Sequence, residues 1–221
     1  MTDTVVSTCN GNIAILISGT GSNLQAFINA VASGQLQAKI SLVISNKPDA
    51  AGLQRAADAG IETLCIDHRE YEHRETFDAA LTNALQKHDI DLVILAGFMR
   101  ILTPVFIEPY LGRLLNIHPS LLPKYPGLHT HQRALAAGDD DAGVTVHFVT
   151  PELDAGPPVI QARVAIGDSD TADTLAARVN AVEHKIYPLA AQWFMQGRLR
   201  LTNEGASLDG EAVPECGVQY P

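Results

Sequence analysis

The chain has 221 residues, of which 46% are hydrophobic and 18% charged, and this composition excludes an intrinsically disordered protein. A net charge of −10 disfavours nucleic acid or an anionic membrane surface as a partner. We expect a cytoplasmic protein, because no apolar run approaches the ~20 residues of a membrane span and residues 1–4 (MTDT) do not resemble a signal peptide.

The first half of the chain alternates predicted strands with predicted helices. Apolar runs of strand length occupy residues 12–18, 40–45, 61–66 and 91–96. Helical patterns lie between them, at residues 24–31, at residues 50–59 before Gly60, and along the stripe Phe77, Leu81, Leu85 and His88. This alternation predicts an α/β fold with an open, mostly parallel, Rossmann-like sheet flanked by helices.

The C-terminal half predicts antiparallel strands instead. A short strand at 114–118 precedes a Pro-rich ordered loop at 119–131, and the runs 144–149 and 158–166 are joined by a short turn-rich link, which favours an antiparallel pair. Apolar residues from Leu175 to Trp193 predict a long last helix, which Pro188 should kink or interrupt. We expect one domain over residues 1–221, with residues 1–11 and about 203–221 as peripheral tails, the second of them irregular.

A glycine turn follows the first predicted strand and has the sequence Gly19-Thr20-Gly21-Ser22-Asn23. Glycines let the backbone approach an anion, and the free N–H groups of the following helix favour phosphate. No Gly-Lys-Ser/Thr follows, and Leu24 replaces the third glycine of a dinucleotide fingerprint. The pattern therefore favours one phosphate monoester, and the alternative is a tight turn in which Ser22 or Asn23 caps the helix.

Asn116 and His118 form the second candidate site, since they share one face of a strand that ends at Pro119. An amide and an imidazole at the carboxyl end of a strand could stabilise a developing oxyanion or transfer a proton. Asp154 lies in the turn-rich segment 152–157, where its carboxylate could orient His118 or be solvated. The spacing of these residues leaves both alternatives open.

Other polar residues carry weaker patterns. His129 and His131 form an HxH pair, but no third ligand has suitable spacing, so we expect no metal. His147, on a strand that alternates apolar and polar residues, is expected to be structural. Glu183 flanks the buried stripe of the last helix, where a site position is possible. The three cysteines, Cys9, Cys65 and Cys216, are widely spaced and are expected to be reduced thiols.

Six segments together resemble the folate-dependent formyltransferase family, in particular its branch that formylates glycinamide ribonucleotide. They are ISGTGSNLQAFI, SNKPDAAGL, LAGFMRIL, LLNIHPSLLPKYPGLHTHQRAL, GVTVHFVTPELDAGPPVIQA and VEHKIYPLA. The resemblance runs in order from about Asn12 to about Gly210. The Asn116-Ile117-His118-Pro119 segment with a later Asp154 is shared by the wider family, whereas the Gly21-Ser22-Asn23 turn is more particular to this branch.

The resemblance implies transfer of a formyl group from 10-formyltetrahydrofolate, the co-substrate, to the primary amine of glycinamide ribonucleotide in purine synthesis. It assigns roles to residues as follows: catalysis to Asn116, His118 and Asp154; phosphate and ribose binding to Gly21, Ser22 and Asn23; the substrate amine to Glu183; and folate binding to Arg74, Met99, Arg100, Ile101, Leu102 and Asn116. We expect a monomer or a homodimer that needs no metal. The alternatives are a hydrolase of the same folate and a non-catalytic module that binds nucleotide or folate.

Overall fold

Strands and helices alternate along most of the polypeptide. The structure is a computed structural model, and it describes residues 11–221. Its strands are β1 (Gly11–Ile17), β2 (Ala38–Ser45), β3 (Thr63–Cys65), β4 (Leu92–Leu95), β5 (Leu114–His118), β6 (Asp141–Phe148), β7 (Pro158–Ala165), β8 (Leu199–Thr202), β9 (Gly205–Leu208), β10 (Glu211–Ala212) and β11 (Val218–Tyr220). Its α-helices are α1 (Ser22–Ala32), α2 (Ala51–Asp58), α3 (Arg74–Leu85), α4 (Pro104–Ile107), α5 (Thr130–Ala137) and α6 (Ala172–Met195). Apart from Gly11, the expected N-terminal tail lies outside the described residues.

The strands of residues 11–221 form one large sheet in the order β11-β7-β6-β5-β4-β1-β2-β3, and a small sheet, β10-β9-β8. Strands β3, β2, β1, β4 and β5 are parallel, whereas β6 runs antiparallel to both β5 and β7. The predicted Rossmann-like sheet and the antiparallel strands of the C-terminal half are therefore both confirmed. The strand order reverses direction between β1 and β4, and in open α/β sheets ligands bind at such a point.

Both faces of the large sheet are covered, which explains the continuous apolar strand runs. Helices α1, α2, α5 and α6 pack on one face, where the Phe27 ring meets the Tyr187 ring edge-on at 5.1 Å. Helices α3 and α4 pack on the other face around Phe77 and Phe106. Every residue from Ile13 to Ile17 is fully buried as a result.

The expectation of an irregular C-terminal tail is wrong. Residues from Gly205 onward add β9 and β10 to β8, and β11 then pairs in parallel with β7. Gly217 makes this close approach possible, since a Cβ atom there would lie 3.0 Å from the backbone nitrogen of Ile160. These strands have two to four residues each, too few to give a visible alternation of apolar and polar side chains.

Of the kink or interruption expected at Pro188, the interruption is wrong, because α6 is helical through all its 24 residues. Pro188 removes one backbone hydrogen bond. Its buried neighbours Tyr187, Ala190 and Ala191 belong to the core under the sheet, and their packing holds the helix together. Despite the length of α6, no helix within residues 11–221 is long and apolar enough to cross a membrane.

Smaller differences concern element boundaries. The third helix ends at Leu85, so His88 lies beyond it, and the strand expected at 61–66 is the short, exposed β3. Helices α4 and α5 are not predicted by the sequence, and α5 takes the last two residues of the expected Pro-rich loop. Each of these two helices has eight residues or fewer, which is too short for a clear helical pattern.

Candidate active site

The glycine turn lies between β1 and α1 and presents backbone N–H groups that no side chain caps. Gly21 has φ 73° and occupies the N-cap of α1, with no side-chain cap hydrogen bond. The interpretation in which Ser22 or Asn23 caps the helix is therefore wrong, and the first-turn amides stay available to an anion. Gly52 of α2 packs against the turn, where a Cβ atom on Gly21 would lie 2.8 Å from the Gly52 Cα atom.

A positive charge accompanies this turn, although no sequence motif indicates one. Arg55 of α2 donates from Nε to the Thr20 carbonyl at 2.8 Å. Arg55 and Ser22 both line a cavity of about 460 Å³ beside the turn. Because Arg55 belongs to a different helix from the one that follows the turn, the turn sequence carries no signal of this contact.

Glu183 of α6 reaches the glycine turn from another direction. This residue is 7% exposed, and its Oε2 atom accepts hydrogen bonds from Asn23 Nδ2 at 2.8 Å and from Asn180 Nδ2 at 3.0 Å. The Asn23 Oδ1 atom is buried and has no hydrogen-bond partner among residues 11–221. Asn180, which no sequence pattern singled out, also approaches Ser22 Oγ at 3.4 Å. The structure therefore brings Glu183 and the turn together around an unsatisfied polar group.

The side chains of His118 and Asp154 lie close together, although they are far apart in the chain. His118 Nδ1 lies 3.4 Å from Asp154 Oδ2, and both side chains are more than nine-tenths buried. Asp154 Oδ2 also accepts a hydrogen bond from the Gly127 N–H at 2.8 Å. His118 Nε2 lies 2.8 Å from the Tyr125 carbonyl oxygen, which can only accept, so we assign a proton to Nε2.

Both ring nitrogens of His118 thus face oxygen acceptors. A neutral ring carries one N–H and would leave its unprotonated Nδ1 facing the Asp154 carboxylate. In the imidazolium form, Nε2 donates to the Tyr125 carbonyl, and the positive ring lies beside the buried Asp154 carboxylate. His118 and Asp154 are therefore placed to act as a buried ion pair.

Asn116 lies two residues earlier on β5 and contacts a second histidine. Its Nδ2 atom is 3.2 Å from His147 Nε2, and His147 Nδ1 is 2.9 Å from the Phe148 carbonyl. Burial lowers the pKa of His147, so the neutral ring donates from Nδ1 to Phe148 and accepts at Nε2 from the Asn116 amide. This bond leaves the second Nδ2 hydrogen of Asn116 for another acceptor. His147 is expected to be structural, and the structure adds that it orients a candidate catalytic side chain.

The two histidines of the HxH pair have different surroundings. His129 is exposed and has φ 60° at the N-cap of α5. His131 is partly buried, and its Nδ1 atom has no hydrogen-bond partner in the described part of the chain. Burial lowers the pKa of His131 despite the nearby Glu183 carboxylate. Within residues 11–221 no group of three or more His, Cys, Asp or Glu residues is arranged to hold a metal ion. Cys65 and Cys216 are free and exposed, and Cys9 lies outside the described residues.

The candidate folate segment, residues 99–102, follows β4 at the point where the strand order reverses. Met99 and Ile101 are 63% and 53% exposed, an unusual state for large apolar side chains, whereas Leu102 is buried. The Nε atom of Arg100 is buried, and no residue from 11 to 221 forms a hydrogen bond with it. Arg74 is exposed at the start of α3. The segment therefore combines exposed apolar side chains with one buried guanidinium nitrogen that lacks a partner among the described residues.

Comparisons with known proteins define the class of this chain. A family model described as Formyl transferase matches residues 11–191. The chain therefore belongs to the formyl transferase family, as the sequence resemblance implies, and is a transferase.

Two curated relatives and one solved structure that resemble this chain carry the same name. The chain is 51% identical to phosphoribosylglycinamide formyltransferase of Escherichia coli (strain K12) over 206 residues, which are 93% of this chain and 97% of that protein. It is 50% identical to phosphoribosylglycinamide formyltransferase of Haemophilus influenzae over 205 residues, again 93% of this chain and 97% of that protein. The solved structure of phosphoribosylglycinamide formyltransferase from Coxiella burnetii superimposes with a TM-score of 0.92 and 50% identity, and the match covers 96% of this chain and 99% of that one.

Proposed function

We propose that this protein transfers the formyl group of 10-formyltetrahydrofolate to the primary amine of glycinamide ribonucleotide, a step of de novo purine (IMP) biosynthesis. The names and identities of its relatives support the acceptor and the reaction. The observation that carries the proposal is the buried contact of 3.4 Å between His118 and Asp154, with Asn116 two residues away on the same strand. This arrangement suits a reaction in which negative charge develops on a carbonyl oxygen.

In the proposed mechanism the neutral amine of the nucleotide attacks the formyl carbon directly. The new C–N bond forms as the carbonyl oxygen takes the electron pair, and collapse of this tetrahedral intermediate breaks the bond from carbon to N10 of the folate. The amine loses a proton and N10 gains one, so tetrahydrofolate leaves as a neutral amine. No serine or cysteine of the motif is needed as a nucleophile.

We assign stabilisation of the oxyanion to Asn116 and to protonated His118. The Asn116 amide has a hydrogen to spare after its bond to His147. The Nε2 atom of His118 lies 2.8 Å from the Tyr125 carbonyl oxygen. To stabilise the oxyanion, Nε2 has to give up this hydrogen bond and donate to the substrate oxygen instead. Asp154 keeps the imidazolium charged during this exchange, and the same ring then supplies a proton toward N10.

The nucleotide is proposed to bind between the glycine turn and α6. Its phosphate would accept hydrogen bonds from the backbone N–H groups of Gly21, Ser22 and Asn23 at the N-terminus of α1. The positive charge of Arg55 lies beside these groups. Glu183 uses Oε2 for its bonds to two asparagine side chains, which leaves Oε1 for the substrate amine. A carboxylate beside that amine would also hold it in position for attack.

We propose that the folate lies against Met99, Arg100, Ile101 and Leu102, with Asn116 at its reacting end and Arg74 beside it. The exposed side chains of Met99 and Ile101 offer an apolar surface to a pterin ring, and the backbone of the segment offers hydrogen bonds. We further propose that the whole chain acts as a single domain in the cytoplasm, as a monomer or homodimer without a nucleic-acid partner. Size-exclusion chromatography with light scattering distinguishes the two assembly states.

The test is a spectrophotometric assay of tetrahydrofolate release with both substrates, run beside the same mixture without glycinamide ribonucleotide. Release that requires the nucleotide supports the transferase. Equal release without the nucleotide would identify a folate hydrolase instead. Binding of glycinamide ribonucleotide and the folate without release of tetrahydrofolate would identify a non-catalytic binding module.

A further inference from the structure

The buried side chains of Ser18 and Asp78 form hydrogen bonds to the two ends of the segment that runs from Met99 to Thr103. The Met99 N–H donates to Ser18 Oγ at 2.7 Å, and the Thr103 N–H donates to Asp78 Oδ2 at 2.5 Å. Ser18 and Asp78 are both buried. The three residues between these two bonds belong to the proposed folate surface. The segment is therefore open to a ligand along its length but fixed at both ends.

The Ser18 end is continuous with the sheet. Ser18 directly follows β1, and its hydroxyl donates to Asn46 Oδ1 at 2.5 Å, just beyond the end of β2. Because the Ser18 hydroxyl donates its proton to Asn46, the Ser18 Oγ atom accepts the Met99 N–H through a lone pair. This end of the segment is attached to the rigid parallel strands.

The Asp78 end is attached to a helix instead. Asp78 lies on α3 four residues after Arg74, one helical turn away, so both residues share a face of that helix. A bond from Asp78 to Thr103 therefore fixes the spacing between α3, which carries Arg74, and the segment with Met99 and Ile101. These are the two parts of the proposed folate pocket.

Fold stability does not account for a carboxylate at this position. Asp78 forms no salt bridge with any residue in the range 11–221, and burial raises its pKa although the Thr103 N–H opposes this shift. The Arg74 charge on the same helix also opposes this shift, but it forms no salt bridge with Asp78, and a buried carboxylate without a paired countercharge opposes folding. A neutral acceptor would be expected to stabilise the fold at least as well. What a charged acceptor adds is a shorter and stronger hydrogen bond to the Thr103 amide.

We propose that Asp78 is a positioning residue for the folate, which sets the distance between α3 and the segment 99–103. Asp78 touches neither the substrate nor the reacting atoms in this arrangement. The inference rests on the proposed function, because it takes residues 99–102 and Arg74 as the folate-binding surface. It predicts that losing the Asp78–Thr103 bond weakens folate binding and leaves nucleotide binding unchanged.

The experiment measures kcat and both KM values for wild type, Asp78→Ala, Asp78→Asn and Leu85→Ala. Asp78→Ala leaves the Thr103 N–H unpaired, so the KM for 10-formyltetrahydrofolate should rise about tenfold or more. The KM for glycinamide ribonucleotide should stay within about twofold of wild type. Asp78→Asn keeps an acceptor oxygen and should restore the folate KM to within about threefold of wild type. Leu85→Ala, a fully buried site at the far end of α3, controls for a general loss of stability.

Thermal unfolding of each variant separates positioning from folding. The proposal expects Leu85→Ala to lower Tm without a change in the folate KM. It is overturned if Asp78→Ala leaves the folate KM unchanged, or if the KM for the nucleotide rises as far as the folate KM. If Asp78→Ala does not fold, Asp78→Glu replaces it in the test. This variant keeps the negative charge, but its longer side chain displaces Thr103. A folate KM that does not rise in Asp78→Glu then overturns the proposal.

The wild-type enzyme separates this inference from the function on which it rests. If wild type shows no nucleotide-dependent release of tetrahydrofolate, the proposed function fails, whatever the Asp78 variants do. If wild type is active and the folate KM is insensitive to Asp78, the positioning role alone fails. Calorimetric titration with tetrahydrofolate should show the same ranking of the variants as the folate KM.

Discussion

Replacing Asp154 with asparagine removes one negative charge and almost no volume. Two unit charges 3.4 Å apart attract by about 5 kcal/mol at an effective dielectric constant of about 20, and the His118–Asp154 pair is buried. Part of this energy should appear in the transition state, because the proposed mechanism keeps His118 as an imidazolium there. A loss of about 2.7–4 kcal/mol corresponds to a fall of about 10²–10³ in kcat, and we expect the kcat of Asp154→Asn to fall at least this far.

The binding of the nucleotide should survive this substitution. The asparagine oxygen can still accept from the Gly127 N–H, and the proposed phosphate and amine contacts lie on α1 and α6. The assay is nucleotide-dependent release of tetrahydrofolate, paired with calorimetric titration of glycinamide ribonucleotide. Asp170→Asn is the matched control, because that side chain is 9% exposed and is paired with Arg178 rather than with a candidate site residue. Turnover of Asp154→Asn within about threefold of wild type would refute the role of the charge.

Three further predictions follow from the same geometry. His118→Ala should lower kcat by at least about 10²–10³ while binding the nucleotide normally, and near wild-type turnover would reject His118 as catalytic. Gly21→Ala should raise the KM for the nucleotide at least about tenfold, because its Cβ atom would collide with Gly52. The control is Gly34→Ala, which also has a positive φ (76°) but open space around its Cβ atom, and it should leave this KM unchanged. Equal effects of the two substitutions on the KM would contradict a role of the glycine turn in binding the nucleotide. Burial lowers the pKa of His147 in the folded protein below its value of 6.5 in the unfolded chain. As the pH drops below 6.5, the unfolded state therefore binds the proton before the folded state does, and the free energy of unfolding should fall. Urea unfolding of His147→Gln should show a smaller fall, and an identical pH profile would argue against this assignment.

Much of the fold could be predicted because buried parallel strands have a strong sequence pattern. The run at residues 13–17 is apolar at every position, which requires cover on both faces, and the structure provides it. The end of the chain could not be predicted in this way. Strand β11 forms by pairing with β7, which lies far earlier in the chain, and its own three residues carry no pattern. Pro188 was misleading because packing of the neighbouring side chains outweighed its local preference.

The candidate site was predictable to a different extent. The shared face of Asn116 and His118 follows from strand geometry alone. The approach of Asp154 does not, since it depends on a turn in which Asp154 itself has φ 52°, and the resemblance to a family supplied what spacing could not. Two residues beside the candidate site, Asn180 and Arg55, and the proposed positioning residue Asp78 carried no sequence signal. Each contacts a partner on a distant element and is of a residue type common in ordinary helices.

The pairing of β11 with β7 bears on how copies of this protein could associate. A free sheet edge invites another chain to extend the sheet through backbone hydrogen bonds. Within residues 11–221 the large sheet ends in β11 on one side and in β3 on the other, and each of these strands has only three residues. These two strands offer little backbone of their own to a second molecule, and each covers only three residues of its neighbour, residues 43–45 of β2 and residues 160–162 of β7. A sheet that continued across two copies would therefore have to use the uncovered parts of β2 and β7 rather than the edge strands.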